Sequence, residues 1–260
     1  MNAIEIKGIE KTYKLYKNNK DLLLEFFTGK ERCKYYKALD NISFNVKKGK
    51  TYGIMGQNGS GKSTLLRIVS NNTIPTGGEI STSGPVYLLN VGAGISPYYT
   101  GLENIYYKCT INGLDKEETD KIIDSIIEFS ELGDFIYQPV RKYSSGMKSK
   151  LGFAIAIHNK FDILIVDEAL AVGDATFRNK CMRKMNELKN TGKTILFVSH
   201  SSSQVAQFCD DCCWIHNGEL IAKGKSKAIS DLYDEFTRKN ITIDVAKRLV
   251  DYDKDVYYAD

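Results

Sequence analysis

The stretch that most restricts the fold is Gly56-Gln-Asn-Gly59-Ser-Gly61-Lys62-Ser63, entered directly from the apolar run Thr51-Tyr-Gly-Ile-Met55 and followed by an apolar helical pattern through residues 65–69. It fits GxxxxGK[ST], with a strand before it and a helix after it, the context that pattern requires. Glycines let successive backbone N–H groups turn inward around phosphate oxygens, and the helix start adds the positive end of its dipole. Gly56, Gln57, Asn58, Gly59, Ser60, Gly61 and Thr64 are then the cradle. Lys62 is expected to reach the β- and γ-phosphates of a nucleotide, and Ser63 to ligate Mg²⁺.

The rest of the chain alternates strands with helices, which implies a mainly parallel sheet. Residues 3–9 and 42–46 alternate apolar and polar and read as half-buried strands, while 163–166 and 195–198 read as buried ones. Helical stretches are expected at 176–189 and 226–238, and over most of 97–159. Within that last segment, Ile122, Ile123, Ile126 and Ile127 place a helix at 115–131, and a second starts near Ser145 and runs through Phe153 and Ile157. Asn217-Gly218 between two strands signals a type I′ hairpin turn. Between the two early strands lies an insert at 15–37, where Asp21 is expected to cap a short helix whose Leu22, Leu23, Phe26 and Phe27 share one side. Residues 240–260 carry no strong period and read as a helix or a loose tail.

Composition excludes several classes. A chain of 260 residues, 42% hydrophobic and 26% charged, buries a full core and is ordinary for a globular protein. Its longest apolar runs fall far short of the roughly 20 residues that span a bilayer. The N-terminal MNAIEIKGIEKTYK lacks the apolar core of a signal peptide, so the protein is expected to stay where it is made. Cys33, Cys109, Cys181, Cys209, Cys212 and Cys213 form no even disulfide framework. The CxxC of Cys209 and Cys212 reads as a metal pair or as buried thiols entering a strand, and no second pair lies at zinc-finger distance. Residues 1–50 hold twelve Lys or Arg against six Asp or Glu, a basic surplus suited to anionic lipid, a polar partner or plain solvation.

Three later blocks carry chemistry. Ile163-Leu-Ile-Val-Asp167-Glu168 is an apolar strand ending in two carboxylates. Asp167 suits the metal side of a phosphate site, through water, and Glu168 suits orienting or deprotonating the attacking water. His200 ends the strand pattern at 195–199, the edge where doubly wound folds place ligands, and is expected at the γ-phosphate. Tyr143-Ser144-Ser145-Gly146-Met147 precedes a helix and reads as a second phosphate cap, although alone it could be any helix start. One γ-phosphate has no use for two caps from one chain.

On these residues the chain resembles the ATP-binding cassette (ABC) ATPases over about residues 3–235. The resemblance makes 56–63 the Walker A motif, 143–147 the signature, Asp167 and Glu168 the end of Walker B, His200 the switch histidine and Asp174 the D-loop acid. Tyr13 is similar to the aromatic residue that stacks on adenine, with Tyr16 as its backup, and Ile74-Pro-Thr-Gly-Gly-Glu-Ile80 and Gly101-Leu-Glu-Asn104 look like family connectors. Ser145 replaces the signature's first glycine and Met147 its glutamine, while Ser144 and Gly146 keep the phosphate-touching positions. No glutamine stands in the Q-loop region, where Asn90 is the substitute metal contact.

The implied fold is α/β: a P-loop NTPase nucleotide-binding domain with a mainly parallel core sheet, an antiparallel β subdomain and a helical signature subdomain. The expected boundaries are 1–238 for the domain, about 97–159 for the helical subdomain and 239–260 for the tail. YSSGM, the NVGAGI stretch and the insert resemble ATPases that export cell-envelope polysaccharides, teichoic acid above all. The resemblance implies ATP and Mg²⁺ as cofactors and a head-to-tail homodimer. Ser144 and Gly146 of one chain would close over ATP held by Lys62 of the other. A separate integral-membrane permease would handle the lipid-linked polysaccharide, and the ATPase would sit at the cytoplasmic face of the cell membrane without nucleic acid. The chain is expected to be without the C-terminal carbohydrate-binding domain that some O-antigen exporters carry. The competing expectations are an ABC exporter of drugs, peptides or lipids, and a soluble ABC ATPase of ribosomes or DNA repair, which the single cassette and the lack of sustained heptads disfavour. The insert is expected either to touch permease or lipid or to pack on its own domain.

Overall fold

The computed structural model describes residues 1–89, 92, 94–167, 173–239, 242–250 and 256–257. They form two compact units, Met1–Ser83 with Val198–Asp260, and Gly84–Phe197.

The first unit begins with β1 (Asn2–Leu15), α1 (Asn19–Thr28), β2 (Lys34–Lys47), β3 (Thr51–Met55), α2 (Lys62–Val69) and β4 (Gly77–Thr82). β1 lies antiparallel between β2 and β4, in register with β2 from Asn2↔Lys47 to Leu15↔Lys34. Ile4 and Ile6 of β1 and Ile42, Phe44 and Val46 of β2 are buried at alternate positions, as the pleat dictates, and Leu39 is buried beyond a register shift at Asn41 (φ 49°). β3 is buried at all five residues, as suits a strand covered on both faces.

The insert departs from expectation in two respects. Its ends are strand, because β1 continues to Leu15 and β2 starts at Lys34. Its helix is capped by Asn18, whose side-chain oxygen accepts from the Asp21 amide at 2.9 Å. Asp21 itself sits inside the first turn, where its charge favours the helix dipole but its own amide is the orphan donor. Glu25 moors α1 to the end of β1, accepting from Lys14 Nζ at 2.8 Å, the Tyr16 hydroxyl at 3.0 Å and the Arg32 amide at 2.8 Å. The Lys14 hydrogen bond, then that amide, hold its carboxyl down at about 2. Leu22, Leu23, Phe26 and Phe27 all remain exposed, Phe26 and Phe27 at 82% and 80%.

In the second unit β5 (Val86–Leu89) pairs parallel with β6 (Ile163–Asp167), and β7 (Thr194–Val198) lies on the other side of β6. Four helices accompany them: α3 (Gly101–Ile111), α4 (Lys116–Ser130), α5 (Ser145–His158) and α6 (Ala175–Asn190). Asp115 opens α4 with a full capping box to Glu118, so the sequence pattern and the helix start coincide. Ile105, Cys109, Ile126, Ile136, Leu151 and Ile155 form a core between α3, α4 and α5. α5 is buried at every residue from Leu151 to Ile157, the behaviour of a helix covered on all sides.

The chain then returns to the first unit with α7 (Ser202–Phe208), β8 (Asp211–His216), β9 (Glu219–Lys225), α8 (Ser226–Lys239), α9 (Ile243–Val250) and β10 (Val256–Tyr257). β8 runs parallel to β3 and antiparallel to β9. Asn217 (φ 48°) and Gly218 (φ 85°) both take the left-handed conformation that a type I′ turn needs. Cys212 and Cys213 are buried in β8, the thiol reading of the CxxC, and burial pushes the Cys213 thiol up to about 12. Parallel strands accompanied by helices, beside a separate antiparallel sheet, make the fold α/β as expected. No helix among the described residues is long and apolar enough to cross a membrane.

Candidate functional site

β3 delivers the chain into the glycine loop at its carboxyl end, and α2 leaves that loop at Lys62. Two glycines have a specific steric reason. A Cβ on Gly56 (φ 153°) would overlap the Ile215 carbonyl, and one on Gly61 (φ 107°) would lie 2.6 Å from the Ala38 carbonyl oxygen and 2.8 Å from Leu39 Cδ2. The hairpin turn braces the same loop, because the Gly218 amide donates to the Ser60 carbonyl at 2.9 Å and its carbonyl accepts from Asp40 at 2.8 Å. β2, the glycine loop and the β8–β9 turn are therefore locked together by backbone.

Within the loop Lys62 is buried, and its ammonium donates to the Gly56 and Gln57 carbonyls at 2.7 and 2.8 Å. Gln57, Asn58, Gly59 and Ser63 are exposed, and Thr64 is half-buried. Gly61 caps α2 with no side-chain hydrogen bond, so the first amides of the helix face outward without an internal acceptor. The Ser60 hydroxyl is buried without a partner. A loop with orphan amides, an unmatched hydroxyl and a tethered ammonium fits a phosphate chain.

His200 is exposed and follows Ser199, whose amide donates to the Ile54 carbonyl of β3 at 3.3 Å. It therefore emerges at the strand edge from which the glycine loop springs. Tyr13 lies half-buried in β1 opposite Tyr36, with Lys11 Nζ 5.2 Å from its ring centroid. The Tyr16 hydroxyl donates to Glu25 of the insert at 3.0 Å.

In the second unit Asp167 ends β6, half-buried. Ser63 and Asp167 offer the oxygen donors that Mg²⁺ takes, and the described residues gather no cluster of three His, Cys, Asp or Glu that could hold a metal by itself. An oxygen donor of this kind suits a cation that takes its remaining ligands from phosphate oxygens and water. Glu168 and Asn90 lie outside the described residues.

Ser144 caps α5, its Oγ accepting from the Met147 amide at 3.2 Å. Ser144 and Ser145 are exposed, and a Cβ on Gly146 would meet nothing nearer than Ser144 Oγ at 3.8 Å. Among the described residues no neighbour in its own unit needs that glycine, although glycine in a helix costs about 0.5–1 kcal/mol against alanine. Tyr143 fixes the cap from behind, its buried hydroxyl donating to the Phe135 carbonyl at 2.5 Å. The connector at 101–104 serves this support. Gly101 packs where a Cβ would lie 2.8 Å from Ile136 Cδ1, and buried Asn104 clamps the Ser96 amide at 2.8 Å and the Thr100 carbonyl at 2.9 Å.

Asp174 caps α6 through the Phe177 amide at 2.9 Å and lies 3.4 Å from Lys150 on α5. The amide first, then Lys150, hold its carboxyl below the usual range. The three elements around Ser144 and Gly146 thus share one cleft, lined also by Glu131, Lys150 and Asp174. Sequence reading missed Gly218 as a loop brace and Lys150 as a neighbour of Asp174. The only advance signal for Lys150 was a cation just ahead of the apolar run of α5.

Two solved structures share the architecture. An "ATP binding subunit of ABC transporter" aligns with 95% of this chain and 98% of its own at TM-score 0.72 and 21% identity. A dimeric ATP-binding cassette in a post-hydrolysis state, bound to ADP and Pi, aligns with 86% and 98% at TM-score 0.70 and 24% identity. The fold is that of an ATP-binding cassette. Residues 39–171 match the ABC transporter family, and the chain belongs to that family. Its relatives include "Teichoic acids export ATP-binding protein TagH" of Bacillus anthracis, 46% identical over 94% of this chain and 45% of that protein. The protein of the same name from Listeria innocua is 45% identical over 90% and 70%, and that from Staphylococcus epidermidis 44% over 91% and 89%. The chain thus spans less than half of the Bacillus anthracis relative and nearly all of the staphylococcal one.

Proposed function

We propose that the chain is the ATP-hydrolysing subunit of an ABC transporter that exports a lipid-linked cell-envelope polysaccharide, teichoic acid in particular. The observation that carries the two-chain mechanism is Gly146, a helical glycine beside an exposed serine cap for which its own unit has no use. A phosphate brought by a second copy gives it one. The likeness to TagH proteins supports the choice of cargo.

In this reading residues 1–238 are the ATPase domain, with about 97–159 as its helical part and 239–260 as a tail. Bound Mg-ATP supplies the phosphoanhydride whose cleavage drives the cycle. The loop amides and Lys62 bind its phosphates, Tyr13 stacks on the base, and Ser63 with Asp167 hold the metal, with Asn90 as a further ligand. Glu168 orients the attacking water and His200 steadies the γ-phosphate. Ser144, Gly146 and Asp174 act on the nucleotide of the partner copy. The closing dimer would pull on a permease at the cytoplasmic face of the membrane, and the exposed Leu22, Leu23, Phe26 and Phe27 of α1 are the candidate contact with permease or lipid.

The mechanistic test is Glu168→Gln. An ATP-loaded dimer should accumulate on gel filtration, and undiminished turnover would refute the role of Glu168. For the cargo, depletion of the protein in the cell should leave an undecaprenyl-linked teichoic acid inside. Accumulation of a different polymer, or of none, would overturn that assignment.

A further inference from the structure

We propose that Lys150 is a positioning residue that makes the Ser144–Gly146 cap and Asp174 one rigid acceptor for the partner's nucleotide. This rests on the two-chain reading above and adds to it a residue outside the recognised motifs.

Met147, where a glutamine is usual, packs against the apolar core of α3, α4 and α5 and presents no polar group. Lys150 lies three residues further along α5, so both project from the same helical face. Only 18% of its side chain is exposed, and its ammonium reaches Glu131 Oε2 at 3.2 Å and Asp174 Oδ2 at 3.4 Å. It also stands 4.9 Å from the ring centroid of Phe177, which belongs to the helix that Asp174 caps.

Each partner is itself held in place. Glu131 ends α4 in the left-handed conformation (φ 55°), uncommon for a side-chain-bearing residue, and its other oxygen takes Lys180 at 2.8 Å. Asp174 spends Oδ1 on the Phe177 amide at 2.9 Å and so has only Oδ2 for Lys150. The ammonium therefore joins the end of α4, the start of α6 and the body of α5, and Lys150 stands four residues, about one turn, beyond Gly146. Without it the Asp174 carboxylate, 62% exposed, keeps its Oδ1 bond to the Phe177 amide but loses the Oδ2 tie to α5.

The experiment compares Lys150→Met, which keeps the packed stem, and Lys150→Arg, which keeps the charge. The readouts are affinity for N-methylanthraniloyl-ATP at protein concentrations too low for dimerisation, kcat and KM of ATP hydrolysis at high concentration, and the melting temperature. Affinity of the lone chain should stay within about twofold, because the glycine loop is untouched. kcat should fall about tenfold in Lys150→Met, as misplacement of a positioned group does, and return to within about twofold in Lys150→Arg. Lys150→Met combined with Asp174→Asn should be no slower than the slower single variant. If the wild type hydrolyses ATP and Lys150→Met keeps pace with it, this inference fails alone. If the two substitutions multiply, or Lys150→Met loses rate only by melting early, Lys150 is a structural lysine and the inference fails. If the wild-type chain binds no N-methylanthraniloyl-ATP, the nucleotide reading falls and this proposal with it.

Discussion

Replacement of Gly146 by alanine should separate stability from activity. A methyl group there meets only Ser144 Oγ at 3.8 Å, an ordinary contact, and the residue lies inside α5 with helical backbone. Alanine in place of a helical glycine gains about 0.5–1 kcal/mol, mostly by narrowing the unfolded ensemble. For a chain of this size that gain appears as a rise of about 1–4 °C in Tm. Activity should move the other way. A phosphate oxygen that accepts from the cap's amides must come within about 2.9 Å of a backbone nitrogen. The added methyl occupies that approach, and loss of one such donor typically costs 10²–10³ in kcat. Circular dichroism melts and steady-state ATPase assays on the same preparation read both quantities. Gly101→Ala is the contrasting control, since its Cβ would press on Ile136 Cδ1 at 2.8 Å and on the Tyr143 hydroxyl. Overpacking of that kind costs about 1–3 kcal/mol. The reasoning is refuted if Gly146→Ala melts several degrees early, or if it hydrolyses ATP at more than half the wild-type rate.

Phe177→Ala should destabilise the second unit by about 3–5 kcal/mol, read by urea unfolding. That ring is fully buried and lies 5.8 Å from Phe129 and 6.3 Å from Phe153. Asn18→Ala should loosen α1 by about 1 kcal/mol, seen as faster amide exchange over 19–28 with ATPase unchanged, because its side chain caps the helix through the Asp21 amide. The Glu25 carboxyl has a depressed folded value, so its contribution is present above about pH 4.5 and lost as pH falls through about 2. A ¹³C titration of that carboxyl should give the low midpoint in the wild type and a higher one in Lys14→Met, still below the ordinary range because the Arg32 amide and the Tyr16 hydroxyl keep their hydrogen bonds. Phe26→Ser with Phe27→Ser should uncouple transport while sparing basal ATPase, and loss of folding instead would mean that α1 packs on its own domain.

Where chemistry demands contiguous residues, the sequence was readable. Gly56 to Ser63 stand contiguous between a strand and a helix, and the spacing of Ile122, Ile123, Ile126 and Ile127 marked the helix that is α4. The hairpin was legible for the same reason, because Asn217-Gly218 is a local conformational demand. What stayed hidden depends on approach through space. The Ala38 carbonyl, Gly61 and Gly218 meet only once the sheet is folded, and no spacing predicts it. Lys150 looked like any lysine until α4 and α6 brought carboxylates to it. Asn18 and Asp21 are both good caps, and the choice fell to the one placed where β1 releases the chain.

The insert hangs from two strands whose last paired residues, Leu15 and Lys34, face each other across the ladder. Everything beyond that pair is an appendage closed at its root, so its length and apolar surface can drift with no repacking of the β1–β2 core. On the proposed docking role of α1, rewriting this one peripheral segment is enough to fit the same domain to a different partner. On that role, transplanting the segment between relatives should carry the docking preference with it and leave the rate of ATP hydrolysis unchanged.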